Sequence, residues 1–138
     1  MNSLREQLIR DEGGYQRFMY FDSVKVPTIG VGRNLKHKGL SKAEQDFMLD
    51  NDIAEYDRAV DLALPWARQL DAIRREVLVN MAFNLGIAGL IGFSRFLTAL
   101  QARDYELASH EMLDSKWAVQ TGLRASRLAR QIRTGERQ

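Results

Sequence analysis

The sequence predicts an α+β fold, mainly helical, in which a small antiparallel β lobe is joined by a long helix to a larger helical lobe. Three observations carry this expectation. Strand-type residues are confined to one stretch, Tyr15 to Gly32. An apolar repeat at helical spacing then runs from Ser41 to Pro65, and every later pattern is helical. At 138 residues the chain is long enough to bury a core of its own and short for two ordinary domains. The expected layout is one domain over 1–138, with residues 13–40 as the β lobe, 41–64 as the linking helix, and 1–12 together with 65–138 as the helical lobe.

Taken in order, Ser3 and Glu6 stand at capping-box spacing, and Leu4, Leu8 and Ile9 share one face, so a short helix is expected from about Leu4 to Glu12. Gly13 and Gly14 end it. Phe18, Tyr20, Phe21, Val24, Val26, Ile29 and Val31 follow, with turn formers at Asp22 and Ser23 and a proline at 27, which reads as a small antiparallel sheet. The stretch from Asn34 to Leu40 is short, so the sheet lobe should be minimal. A second capping box, Ser41 with Glu44, opens the long helix, in which Leu49, Ile53, Tyr56, Val60 and Ala63 recur up to Pro65. Beyond it, Val77, Leu78, Met81, Ala82 and Leu85 make one apolar face. A glycine-punctuated turn through Gly86, Gly89 and Gly92 should interrupt that face before a helix holding Phe96, Leu97 and Leu100. Further helices are expected around Tyr105 to Leu113 and Leu123 to Ile132, the last with Ala125, Leu128, Ala129 and Ile132 inward and arginines over the rest.

Composition narrows the function classes. There is no cysteine, so disulfides and thiolate metal sites are excluded and packing must hold the fold. Arg5, Glu6, Arg10 and Asp11 keep the first twelve positions from forming the apolar core of a signal peptide, and no later stretch reaches membrane-spanning length. Synthesis as a cytosolic protein, without stable membrane insertion, is therefore expected. Net charge is +2, yet residues 116–138 hold six basic side chains against Glu136, a local +5. Such a field suits a polyanion, whether nucleic acid or an anionic wall, and is equally the mark of a solvated helix face. No nucleic-acid motif accompanies the arginines, so no nucleic-acid partner is expected. His110-Glu111 resembles the start of a zinc-peptidase helix, but Asp114 stands where the second histidine is required, so neither metal nor cofactor is expected. Trp66 and Trp117 fall amid helical apolar spacing and read as packing rather than as sugar platforms.

Hydrolysis of a glycosidic bond needs a protonated acid beside the leaving oxygen and a second carboxylate with room for water on the opposite face of the sugar. Glu12 and Asp22 can supply the two. Glu12 stands at the C-terminal end of the first helix, among carbonyls whose partial negative charge opposes ionisation, as an acid catalyst requires. Taken singly, Glu12 also reads as a solvated helix-end carboxylate and Asp22 as a turn residue.

The segments Asp11-Glu12-Gly13, Tyr20-Phe21-Asp22-Ser23 and Pro27-Thr28-Ile29-Gly30-Val31-Gly32 resemble the bacteriophage lysozymes, endolysin muramidases of glycoside hydrolase family 24, with their helix-end glutamate, aspartate and TIGxG strand. The likeness continues through Asn80-Met81-Ala82-Phe83-Asn84-Leu85-Gly86, Gly92-Phe93 and Trp117-Ala118-Val119-Gln120-Thr121 to Arg124, Arg127 and Arg133-Thr134-Gly135, covering nearly the whole chain. It implies a lysozyme-like fold that cuts the β-1,4 bond between N-acetylmuramic acid and N-acetylglucosamine in bacterial peptidoglycan, with inversion. Glu12 would be the acid, Asp22 would activate water or stabilise positive charge on the sugar, and Thr28 would help hold the water. Asn84 would face the sugar, where a capping or interhelical hydrogen bond is the other reading, and Arg124 would pair with Glu12, where an ordinary surface cation is the other. The resemblance further implies a monomer that accumulates in the host cytoplasm, leaves through a separate holin-type pore, acts on the wall from the periplasm and lyses the cell. Two positions depart from the family pattern. Lys25 stands where glycine is usual, implying a different hairpin turn, and Arg33 stands where histidine is usual. The Glu12 to Asp22 spacing is also one residue longer. Alternative functions are a wall-binding or tail-associated module without turnover and nucleic-acid binding through the arginines.

Overall fold

The computed structural model describes residues 3–138. Met1 and Asn2, the first two residues assigned by sequence to the helical lobe, lie outside the described residues. The fold is α+β and mainly helical, with one small antiparallel sheet among the described residues. By contact density the chain forms two compact units, one up to Met48 and one over Leu49–Gln138.

In the first unit, helix α1 (Leu4–Asp11) starts on the expected capping box. The Ser3 amide donates to Glu6 Oε2 at 2.8 Å and the Glu6 amide to Ser3 Oγ at 3.1 Å, which satisfies two donors that a helix N-terminus leaves open. It ends in a Schellman motif. The Gly13 amide donates to the Arg10 carbonyl at 3.1 Å and the Gly14 amide to the Ile9 carbonyl at 2.7 Å, a geometry that needs the left-handed φ of +82° at Gly13. Glu12 is thus the cap residue rather than the last helical turn.

The sheet follows in the order β1 (Gln16–Phe21), β2 (Pro27–Gly30), β3 (Arg33–Asn34), antiparallel throughout. Tyr20 faces Thr28 and Phe21 faces Pro27, with an irregularity in β1 between Gln16 and Tyr20. Pro27 opens β2, the strand position that tolerates a missing N–H, and its carbonyl still accepts from the Leu35 amide at 2.9 Å. The turn joining β1 to β2 contains Lys25 at φ +64°. The lysine adopts the left-handed backbone that glycine takes without cost. Such a conformation costs an L-residue ~1–2 kcal/mol, and the neighbouring hydrogen bonds hold it in place.

Helix α2 (Lys42–Ala63) opens on the second capping box, the Ser41 amide donating to Glu44 Oε1 at 2.9 Å and the Glu44 amide to Ser41 Oγ at 3.2 Å. In the second unit a 3-10 turn (Pro65–Gln69) leads to α3 (Ala72–Ile91), α4 (Ser94–Gln101), α5 (Tyr105–Leu113), α6 (Lys116–Thr121) and α7 (Leu123–Thr134). The break expected over Gly86 to Gly92 shrinks to one residue. Gly86 leaves helical geometry at φ +77° and ψ 162°, and the helix resumes through Gly89 before ending at Gly92. Val77, Leu78, Met81, Leu90, Phe96, Leu100, Met112 and Ile132 are fully buried and form the core with Trp117, whose ring meets Phe93 edge-on at 5.8 Å. Trp66 is partly buried against the same core, so both tryptophans pack.

Helix α7 carries Ala125, Leu128, Ala129 and Ile132 inward while Arg127, Arg130 and Arg133 stay exposed. Its C-terminal carbonyls are held by Arg74. This side chain donates from Nε to the Ile132 carbonyl at 2.6 Å and from Nη2 to that of Arg133 at 3.3 Å, and its guanidinium lies 3.5 Å over the Tyr105 ring. Arg75 bridges Asp57 at 2.5 Å and Asp61 at 2.7 Å, and its guanidinium holds the Asp61 carboxyl below the usual range. Among the described residues no single helix is long and apolar enough to cross a membrane.

Candidate active site

Three of the five residues singled out by sequence lie in the first unit, and local backbone geometry positions each of them. Asp22 leaves β1 and organises the following turn. Its Oδ1 accepts from the Val24 and Val26 amides, both at 2.9 Å, while its own amide donates to the Val26 carbonyl at 3.0 Å and its carbonyl accepts from Lys25 at 2.9 Å. Oδ2 is engaged by no donor among the described residues. One oxygen of this carboxylate shapes the chain, and the other takes no part in the turn.

Thr28 lies on β2 and is buried, at 4% exposure. Its hydroxyl donates to the Val26 carbonyl at 2.8 Å. The proton is thereby committed, and Thr28 Oγ1 offers lone pairs, so toward a water molecule it is an acceptor. Val26 joins the two side chains: its amide binds Asp22 and its carbonyl binds Thr28.

Glu12 reaches the sheet from the end of α1. Its carboxyl lies against the backbone of Gly32, so closely that a methyl group built on Gly32 would stand 2.6 Å from Oε2 and 2.7 Å from Cδ. Gly32 also holds φ +64°, so both conformation and space call for glycine there. No local sequence pattern announces this contact. Its only trace was the second glycine of the Gly30-Val31-Gly32 run.

Arg33, the departure from the family pattern next to Gly32, is structural. Its Nη1 donates to the Gly39 carbonyl at 3.0 Å, and its Nη2 meets Glu44 Oε2 at 2.5 Å. The pair ties β3 to the start of α2. The Arg33 guanidinium and the Ser41 bonds hold the Glu44 carboxyl down to about 2.

Asn84 and Arg124 belong to the second unit. Asn84 Oδ1 accepts from Trp117 Nε1 at 2.7 Å, so the interhelical hydrogen bond weighed for it is present, and its amide donors remain exposed. Arg124 is half-buried in α7 and lines a cavity of about 590 Å³ with Ile53, Val79, Asn80 and Phe83.

A family model described as Phage lysozyme matches residues 10–135. The pre-baseplate central spike protein Gp5 of Enterobacteria phage T4 is 32% identical, in an alignment covering 96% of this chain and 28% of the spike protein. The probable T4-type lysozymes 1 and 2 of Dictyostelium discoideum are each 24% identical, covering 98% of this chain and 96% of theirs. The chain thus spans little more than a quarter of the spike protein and almost the full length of the other two. These alignments run over 161 to 165 positions, more than the 138 residues of the chain, so the relatives carry insertions relative to it. The family match takes in Glu12, Asp22 and Thr28 as well as the helices bearing Asn84 and Arg124, and the chain belongs to the phage lysozyme family of glycoside hydrolases.

Proposed function

We propose that this protein is a muramidase, hydrolysing the β-1,4 bond between N-acetylmuramic acid and N-acetylglucosamine in bacterial peptidoglycan with inversion. The Glu12 carboxylic acid gives its proton to the glycosidic oxygen as the C1–O bond breaks. Water attacks C1 from the opposite face and loses its proton to Asp22 Oδ2, and Thr28 Oγ1 accepts a hydrogen bond from that water. The products are two shorter glycan strands, and no cofactor enters the cycle.

The observation that carries this reading is the division of labour around Val26, which leaves Asp22 one free oxygen and Thr28 an acceptor-only role. Asn84 and Arg124 enter as substrate-side residues on the strength of the family resemblance. Action as a monomeric single-domain endolysin, held in the host cytoplasm until a holin-type pore releases it to the periplasmic wall, completes the proposal. Similarity to a phage spike protein favours a second reading, a wall-engaging module of a tail structure.

Clearance of a suspension of outer-membrane-permeabilised bacteria, parent beside Glu12→Gln, tests the proposal. Clearance by the parent that is lost in the variant supports the enzyme. A parent that clears nothing yet sediments with purified wall turns the reading to a binding module without turnover.

A further inference from the structure

Resting on the muramidase reading, we infer that Gly32 is a positioning residue for the general acid, the absence of its side chain setting where the Glu12 carboxyl stands. Glu12 projects from a helix cap whose backbone is locked by the Schellman bonds of Gly13 and Gly14, so the base of the side chain is fixed. Its far end is bounded by the Gly32 backbone, with Oε2, Cδ and Cγ at 2.6, 2.7 and 3.0 Å from the place a Cβ would occupy. Gly32 is in turn held from both sides. It is preceded by β2, which pairs with β1 and β3, and followed by Arg33, clamped by Gly39 and Glu44. The floor under the carboxyl is therefore rigid, and the carboxyl is the part that yields.

Glycines nearby separate this spatial requirement from backbone strain. Gly39 has a φ of +61°, close to the +64° of Gly32, but a Cβ there meets nothing within 4 Å. Alanine at either site bears the same left-handed strain, and only at Gly32 must Glu12 move. The atoms that give way are the end of a flexible side chain, so the added cost falls on turnover rather than on folding. A displacement of about 1 Å from productive geometry corresponds to a loss of ~100-fold.

The experiment compares Gly32→Ala, Gly39→Ala, Glu12→Gln and the parent for thermal unfolding and for kcat and KM on soluble peptidoglycan oligomers. Carbon-13 NMR titration of the Glu12 carboxyl is run on the parent and both alanine variants. The expected result is equal melting temperatures for the two alanine variants, a kcat for Gly32→Ala lower by ~100-fold at nearly unchanged KM, and a carboxyl resonance that moves only in that variant. Three results overturn the inference: Gly32→Ala turning over like Gly39→Ala, a loss confined to KM, or a Gly32→Ala chain that fails to fold where Gly39→Ala folds. A parent without activity, or a Glu12→Gln variant that keeps it, refutes the muramidase reading instead. The carboxyl resonance then still decides whether Gly32 sets the position of Glu12.

Discussion

Asp22 serves the fold with one oxygen and, on the proposed mechanism, the reaction with the other, and two substitutions separate these roles. Asp22→Ala removes the acceptor shared by the Val24 and Val26 amides. The Val24 bond is exposed, so water replaces it and little is lost. The Val26 bond is half-buried and charge-assisted, and its loss brings the cost to about 2 kcal/mol. Asp22→Asn keeps a neutral oxygen in the same place and should cost about 1 kcal/mol or less. At ~3 °C per kcal/mol for a chain of this size, melting temperatures should fall by about 6 °C for alanine and about 3 °C or less for asparagine, measured by circular dichroism. Turnover on peptidoglycan should be lost in both. Equal falls, or an asparagine variant that still turns over, would refute the division of roles between the two oxygens.

Other sites give independent checks. Lys25→Gly removes ~1–2 kcal/mol of left-handed strain and loses ~0.4–1 to the greater freedom of the unfolded chain, so chemical denaturation should show no loss and a gain of up to about 1.6 kcal/mol. The folded Glu44 carboxyl lies at about 2 against an ordinary 4.5, so the stability drawn from its pair with Arg33 is fully present above pH 4.5 and is lost as pH falls toward 2. Glu44→Gln, which preserves the capping-box geometry, should melt below the parent at pH 6 and converge with it near pH 2. Asn84→Ala leaves the indole N–H of the buried Trp117 without its acceptor and should cost about 1–2 kcal/mol in denaturant unfolding.

What could be read from the sequence was what neighbouring residues decide among themselves. Both capping boxes formed where Ser3 with Glu6 and Ser41 with Glu44 announced them, because each is closed by residues three apart. The apolar face of α7 was legible for the same reason. Short elements escaped: β3 is two residues long and α6 six, too brief to show a period. Gly86 to Gly92 read as a long turn, yet one left-handed residue suffices to bend the chain, and Gly89 is carried within the helix. Lys25 took a glycine-like backbone because the hydrogen bonds around Asp22 outweigh its preference. Within the site, Glu12, Asp22 and Thr28 were visible as a spaced pattern. The approach of Glu12 to Gly32 and the bond from Trp117 to Asn84 were not, since each joins residues at least twenty apart that only the fold brings together.

The central claim, that Glu12 drives cleavage of the glycan strand at N-acetylmuramic acid, is met most directly by the chemistry of the ends produced. Purified peptidoglycan is digested with the parent protein and with Glu12→Gln, and the soluble fragments are reduced with borohydride and weighed by mass spectrometry. Fragments ending in reduced N-acetylmuramic acid, released by the parent and not by the variant, are the predicted result. Ends at reduced N-acetylglucosamine, cleaved stem peptides, or the same fragments from Glu12→Gln would contradict it.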